Sequence, residues 1–140
     1  MRKAPEDNLF GKILAGEIPS HEVFQDEHTY CFLDIYPQAP GHTLVIPKKF
    51  SANIEDAEPE ELAHCLATVR RLIPAIKQAT GALGATVLTN SGRDAGQMID
   101  YLHFHILPRS PGVSVDIGKL GGQADNVALA AMAAKIRESL

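Results

Sequence analysis

The residues best suited to chemistry crowd into one short stretch, where Tyr101, His103 and His105 alternate with Leu102, Phe104 and Ile106 ahead of Pro108. If this stretch is a strand, successive side chains face opposite sides. Leu102, Phe104 and Ile106 then form an apolar row suited to packing under helices, and Tyr101, His103 and His105 share the other face. Two imidazoles whose Cα atoms lie about 6.6 Å apart on one face are poor core filler and are well placed to act on one ligand. Three readings follow. The histidines could decorate a solvated sheet face. They could bind zinc, iron or copper, which needs a third and usually a fourth ligand; Arg109 stands where a cupin-type site would place a glutamate, and His42 and Asp34 belong to no ligand-spaced cluster. Or they could perform nucleophilic catalysis. With a reference pKa of about 6.5 an imidazole is partly unprotonated near neutral pH and can attack an electrophilic phosphorus. A second histidine could then hold the phosphate charge or protonate the leaving group. The loop just upstream favours this third reading: Asn90, Gly92, Gly96 and Gln97 supply amides and flexible backbone whose N–H groups can meet phosphate oxygens.

Several elements must hold these residues in place. Leu9, Phe10, Ile13 and Leu14 have helical spacing over residues 8–15, with Asp7 as N-cap and Gly16 as terminator. Strand-like runs at 22–25 and 29–35 read as a hairpin, and Pro37, Pro40 and Gly41 punctuate a turn before a third strand at 43–46, which Pro47 ends. A 3.6-residue period through Leu62, Cys65, Leu66, Val69, Leu72, Ile73 and Ile76 predicts a helix over 58–80, with Pro59 in its first turn. Pro74 should kink or split it. Strands at 85–89 and 102–107 follow. A last helix, about 123–139, carries Val127, Leu129, Ala130, Met132, Ala133 and Ile136 on its stripe. This order gives antiparallel pairing with helices segregated to one face, an α+β domain.

At 140 residues the chain has room for a single domain over 1–140, with a core from about 7 to 110 and a C-terminal extension. Apolar residues at 45% and charged residues at 21% argue against disorder. Thirteen basic against 17 acidic residues give a net charge of −4, which excludes a generally basic nucleic-acid binder. Cys31 and Cys65 sit in apolar runs and read as small buried thiols in a reducing compartment. No run is long enough to span a membrane and no secretory signal is expected, so the expectation is a cytoplasmic protein.

The string GQMIDYLHFHILPR resembles the signature of the histidine triad family, and FGKILAGEIPS, FLDIYPQAPGHTLVIPKK and TNSGRDAGQ are similar to their counterparts there, in the same order. The resemblance covers about the first 110 residues, and the last thirty carry no such signal. It implies a HIT-like fold with about five antiparallel strands per subunit and helices packed on one face, a homodimer, and attack on the α-phosphorus of a nucleotide. Activities known in the family include hydrolysis of nucleoside phosphoramidates, aminoacyl adenylates and dinucleoside polyphosphates. By resemblance His103 is the nucleophile, His105 contacts the phosphate and assists the leaving group, and His42 supports the site. Asp34 matches the acid that holds the ribose hydroxyls. Leu9, Phe10, Ile13, Phe32 and Ile35 match an apolar base pocket in which adenosine is favoured, and Asn90, Gln97 and the Met98 backbone match phosphate contacts. No cofactor and no metal at the nucleophile are implied. Taken without the family, Phe10, Ile13, Phe32 and Ile35 read as core, Asp34 as the start of a turn, Asn90 and Gln97 as loop braces, and Lys48 and Lys49 as solvated charges. His21, His28 and His64 lie outside the motif and are expected at the surface or boundary.

The chain departs from the family pattern at Tyr101, which stands at the first triad histidine. A phenol cannot copy the protonation of an imidazole, so altered support for the neighbouring histidines is expected. Many bacterial relatives hold a structural zinc at positions that here read Asn8, Gly11, Phe50 and Tyr101, and the loss of all four ligands implies that this zinc is absent. Two functional expectations result: a nucleotide hydrolase or transferase acting through a nucleotidyl-histidine, or a catalytically weakened nucleotide-binding or regulatory module.

Overall fold

The computed structural model describes residues 2–116 and 119–140; Met1, which opens the charged N-terminus, lies outside the described residues. In chain order the elements are α1 (Leu9–Leu14), β1 (Glu22–Gln25), β2 (Thr29–Leu33), β3 (Thr43–Pro47), α2 (Pro59–Thr80), β4 (Gly84–Leu88), a 3₁₀ turn (Arg93–Ala95), β5 (Phe104–Arg109) and α3 (Asn126–Glu138). The five strands form one antiparallel sheet in the order β1-β2-β3-β5-β4. This is the predicted α+β architecture.

The pleat divides the side chains into two cores. On one face Cys31, Leu33, Val45, Phe104 and Ile106 pack with Cys65, Val69, Leu72 and Ile76 of α2 and Leu129, Ala133 and Ile136 of α3. On the other, Phe32, Leu44 and Ile46 pack with Phe10 of α1, Phe50 and Tyr101. The two long helices thus share one face, and the six-residue α1 caps the opposite one. Register places Phe32 against Leu44, Leu44 against His105 and His105 against Leu88, a row on the α1 face. Both thiols are free and buried, and burial pushes Cys65 up to about 12 and Cys31 further, so both are protonated at neutral pH.

Local chemistry explains where the elements depart from expectation. Asn8, not Asp7, caps α1, its side chain accepting from the Gly11 N–H at 3.0 Å. The second strand ends at Leu33 because the Asp34 carboxylate accepts the Tyr36 N–H at 2.8 Å and turns the chain. Pro74 does not split α2, which remains a single 22-residue helix. Pro74 and Arg70, whose carbonyl would have bonded the missing N–H, are both exposed, so water can take that carbonyl. The last strand starts at Phe104 rather than Leu102, since Ser51 O takes the Leu102 N–H and Ile99 O takes the Tyr101 N–H. The alternation survives upstream of the strand all the same: Leu102 joins the α2 core and Tyr101 the opposite one. On α3 the buried stripe narrows to Leu129, Ala133 and Ile136, leaving Val127 and Ala130 exposed.

Candidate active site

A cavity of about 280 Å³ opens on the α1 face of the sheet. Leu9, Phe10 and Ile13 of α1 line it with Phe32, Leu44 and Leu88 from the strands and Ile35 beyond β2. Its polar residues include Asp34, His42, Asn90, His103 and His105, with Met98 at the rim. Met98 is 58% exposed, consistent with an open mouth. Gln97 does not line it. Its side chain accepts the Gly92 N–H at 2.8 Å and donates to Ala52 O at 2.7 Å and Ile99 O at 3.0 Å, so it braces the loop that carries Asn90. His21, His28 and His64 also lie away from the cavity; the last two stack at 3.6 Å between ring centroids. Sequence reasoning missed Leu44 and Leu88, which cross-strand register with His105 would have found. It also missed Gln38 and the pair Lys119 and Leu120, for which no sequence signal existed.

The hydrogen bonds fix which nitrogen of each imidazole carries a proton. The Gln38 backbone N–H donates to His42 Nδ1 at 3.1 Å, so the His42 proton sits on Nε2. That nitrogen lies 2.9 Å from His105 Nδ1 and donates to it. His105 therefore carries its proton on Nε2, which is buried with no hydrogen-bond partner among the described residues. It is an unpaired buried donor on a residue that lines the cavity. His103 follows a separate rule: its Nδ1 lies 2.6 Å from Tyr101 O, an acceptor only, so Nδ1 holds the proton and Nε2 the lone pair. The His103 and His105 ring centroids are 4.9 Å apart, and Phe10 meets His103 edge-on at 5.0 Å. Asp34 approaches from the side, one carboxylate oxygen 3.7 Å from His42 Nε2.

Burial keeps the imidazoles uncharged. It pushes His42 down to about 4 and His105 to about 3, with the neighbouring histidines adding to the effect, and it lowers His103 against the raising effect of the Tyr101 carbonyl. Asp34 is pushed up, also by burial. At neutral pH the cavity thus offers one imidazole lone pair, one imidazole N–H and a carboxylate among apolar walls.

Asp34 and His42 do come together with His105, which is remote from both in sequence, with one ligand atom from each inside a 4.8 Å span. A metal there would need the His42 Nε2 lone pair and hence a proton on Nδ1, which would face the Gln38 N–H. The proton pattern opposes that site. At the positions that the family resemblance links to a structural zinc, Asn8 caps α1 and donates to Asp100 O at 3.1 Å, and Phe50 packs edge-on against Tyr101 at 5.3 Å. An amide, a glycine and two aromatic rings do not make a zinc donor set.

Comparison with known proteins identifies relatives of this chain and of its fold. The HIT domain model matches residues 15–112. An uncharacterized HIT-like protein of Methanocaldococcus jannaschii is 41% identical over 104 residues, 74% of this chain and 80% of that protein. The adenosine 5′-monophosphoramidase of Saccharomyces cerevisiae is 37% identical over 123 residues, 81% of this chain and 75% of the yeast protein. The crystal structure of a HIT-like protein from Bartonella henselae superimposes with a TM-score of 0.90 at 39% identity, covering 98% of this chain and 99% of the other.

Proposed function

The chain belongs to the HIT domain family, and from that premise we propose that it is a nucleotide hydrolase or transferase that works through a nucleotidyl-histidine. The observation that carries this reading is the lone pair left on His103 Nε2 by the Nδ1–H bond to Tyr101 O. In the first step Nε2 bonds to the α-phosphorus as the bond to the leaving group breaks, and the leaving group departs with a proton taken up at the cavity mouth. Water then displaces His103, giving a nucleoside monophosphate and returning a proton. The His105 Nε2–H donates to a phosphate oxygen, where it stabilises charge as the phosphorus centre reorganises. His42 fixes the tautomer of His105. Asp34 receives the ribose hydroxyls, the slot of Leu9, Phe10, Ile13, Phe32 and Ile35 takes the base, and Asn90 and the Met98 backbone meet the phosphate. Gln97 acts through the loop it braces. No cofactor takes part.

The substrate is a nucleoside phosphoramidate or a dinucleoside polyphosphate, with AMP the favoured product, in line with the activity named for the yeast relative. The protein works on small molecules in the cytoplasm, not on nucleic acid or membrane, and no helix among the described residues is long and apolar enough to cross a bilayer. It works as a homodimer. Arg137 of α3 covers the β1 edge by donating to Glu22 O, whereas the β4 edge is open and flanked by the exposed Leu83 and Val87.

The test compares wild type and His103→Ala on adenosine 5′-phosphoramidate and diadenosine tetraphosphate, following AMP. Release by wild type alone supports the reading, and equal release by both removes His103 from its centre. Tyr101 favours a second reading, a nucleotide-binding or regulatory module; AMP binding by wild type without turnover of either compound would select it.

A further inference from the structure

Tyr101 is 1% exposed and among the largest fully buried side chains of the protein. Its phenol donates to Pro47 O at 2.6 Å, and its ring meets Phe50 edge-on at 5.3 Å and Phe10 at 6.4 Å. The phenol bond falls where the sheet stops supplying support. The β3–β5 ladder pairs Thr43, Leu44 and Val45 with Ile106, His105 and Phe104 and ends there, so no ladder pair joins Pro47 to the segment before β5. Residues 99–103 are held instead by single bonds, among them Tyr101 N–H to Ile99 O at 2.8 Å, Leu102 N–H to Ser51 O at 2.7 Å, Thr89 Oγ1 to His103 O at 2.7 Å, Gln97 Nε2 to Ile99 O at 3.0 Å and Asn8 Nδ2 to Asp100 O at 3.1 Å. The carbonyl that accepts the His103 Nδ1–H belongs to this same Tyr101.

We propose that Tyr101 is a positioning residue: its phenol, tied to the end of β3, holds its own main-chain carbonyl where it keeps His103 in the Nδ1-protonated tautomer. The acceptor of the His103 proton is part of a segment outside the ladder, and an imidazole whose Nδ1–H loses its acceptor can place its proton on either nitrogen. Only the Nδ1–H form leaves the lone pair on Nε2. The tyrosine thus takes over by a side-chain bond to backbone a support that metal ligation cannot give with this donor set. The inference deepens the reading of His103 as nucleophile and rests on it for its kinetic consequence, but the tautomer can be measured whether or not the protein turns over.

The experiment uses full-length protein labelled with ¹⁵N at histidine, in which long-range ¹H–¹⁵N correlations report the His103 tautomer; His103→Gln identifies the resonances. Wild type is expected to show Nδ1–H alone. Tyr101→Phe, which removes one oxygen and keeps the ring, is expected to show a second His103 tautomer. Its kcat on adenosine 5′-phosphoramidate should fall by about tenfold with little change in KM, the cost of a misplaced reacting group. Val69→Ala, in the core on the opposite face, serves as a stability control and should leave both tautomer and kcat unchanged. A pure Nδ1–H tautomer in folded Tyr101→Phe overturns the proposal, as does the same loss in Val69→Ala. If Tyr101→Phe does not fold, Tyr101→Met, which also deletes the phenol and fills much of the ring volume, decides by the same criterion. Absence of AMP release from wild type would count against the proposed function, and the tautomer comparison would still decide the role of Tyr101.

Discussion

Neutral, buried imidazoles tie the stability of the fold to pH. Between about 6.5 and the depressed values near 4 for His42 and near 3 for His105, the unfolded chain binds protons that the folded chain refuses. The contribution of these histidines is therefore complete above about pH 6.5 and is lost as pH falls, by up to about 1.4 kcal/mol per pH unit for each. Asp34, pushed up by burial, acts in the opposite sense as it titrates, and Asp26, held below the usual carboxylate range in spite of burial by bonds from His28 and Thr29, acts in the same sense. Urea midpoints should fall between pH 7 and pH 5, and a flat profile would refute buried neutral histidines. Activity should behave otherwise. Because His103 is also lowered, the acidic limb of kcat/KM on adenosine 5′-phosphoramidate should have its midpoint below 6.5, and a midpoint at or above 6.5 would contradict that. Removing His42 should unset His105: His42→Ala frees His105 Nδ1 to take the proton, and kcat should drop by about 10–100-fold, with the His105 tautomer read by ¹⁵N shifts. His103 and His105 were legible in the sequence because their spacing lies within one strand period. The proton order was not, since it depends on a backbone N–H from Gln38 and a carbonyl from Tyr101 that no side-chain pattern encodes.

At the level of the element, two positions show how local rules are kept or broken. Gly41 adopts φ +90° directly before His42, and a Cβ there would sit 2.6 Å from Thr80 Cγ2 and 3.3 Å from Pro108 Cγ. Gly16 has a similar φ of +79° with nothing within 4 Å. Gly16→Ala should therefore cost only the backbone strain, about 1–2 kcal/mol. Gly41→Ala should cost more and also lower kcat, because the displaced turn carries His42; thermal melts alongside AMP release would separate the two effects. Pro74 is the converse case. Proline is about 3 kcal/mol less favourable than alanine inside a helix, and its exposed setting recovers only part of that. Pro74→Ala should stabilise the protein by about 1–3 kcal/mol in urea titration without changing activity. The sequence shows the proline and the helical stripe, but whether the freed carbonyl meets water is a property of the packed face. Periodicity placed the helices and strands to within a few residues. Their ends were set by single bonds such as the Asn8 cap and the Asp34 turn.

The whole molecule closes the site with residues distant in sequence. The C-terminal segment returns across the turn after β2: Gln38 Nε2 donates to Lys119 O, Gly121 lies against Pro37, and the Ala124 N–H bonds to Ile35 O at 2.9 Å. Lys119 and Leu120 thereby become part of the cavity wall, and α3 continues onto β1 and α2. None of this could be read in the sequence, because an alanine-rich tail of weak polarity contrast does not show which loop it will cross. The dimer proposed above rests on the β4 edge, which no strand among the described residues covers, and Val87→Lys should lower the sedimentation coefficient; an unchanged coefficient would remove that edge from the proposal. The C-terminal strap admits a sharper test. A Cβ on Gly121 would overlap the Pro37 carbonyl, backbone that cannot rotate away, so Gly121→Ala must lift the strap off the turn. The histidines are tied to β3, β5 and the Tyr101 carbonyl and stay where they are. KM for adenosine 5′-phosphoramidate should then rise several-fold while kcat holds, because the wall contributes equally to ground-state and transition-state binding. A fall in kcat instead would mean that the strap reaches His42 through Gln38, whose side chain holds Lys119 while its backbone sets the first proton of the relay.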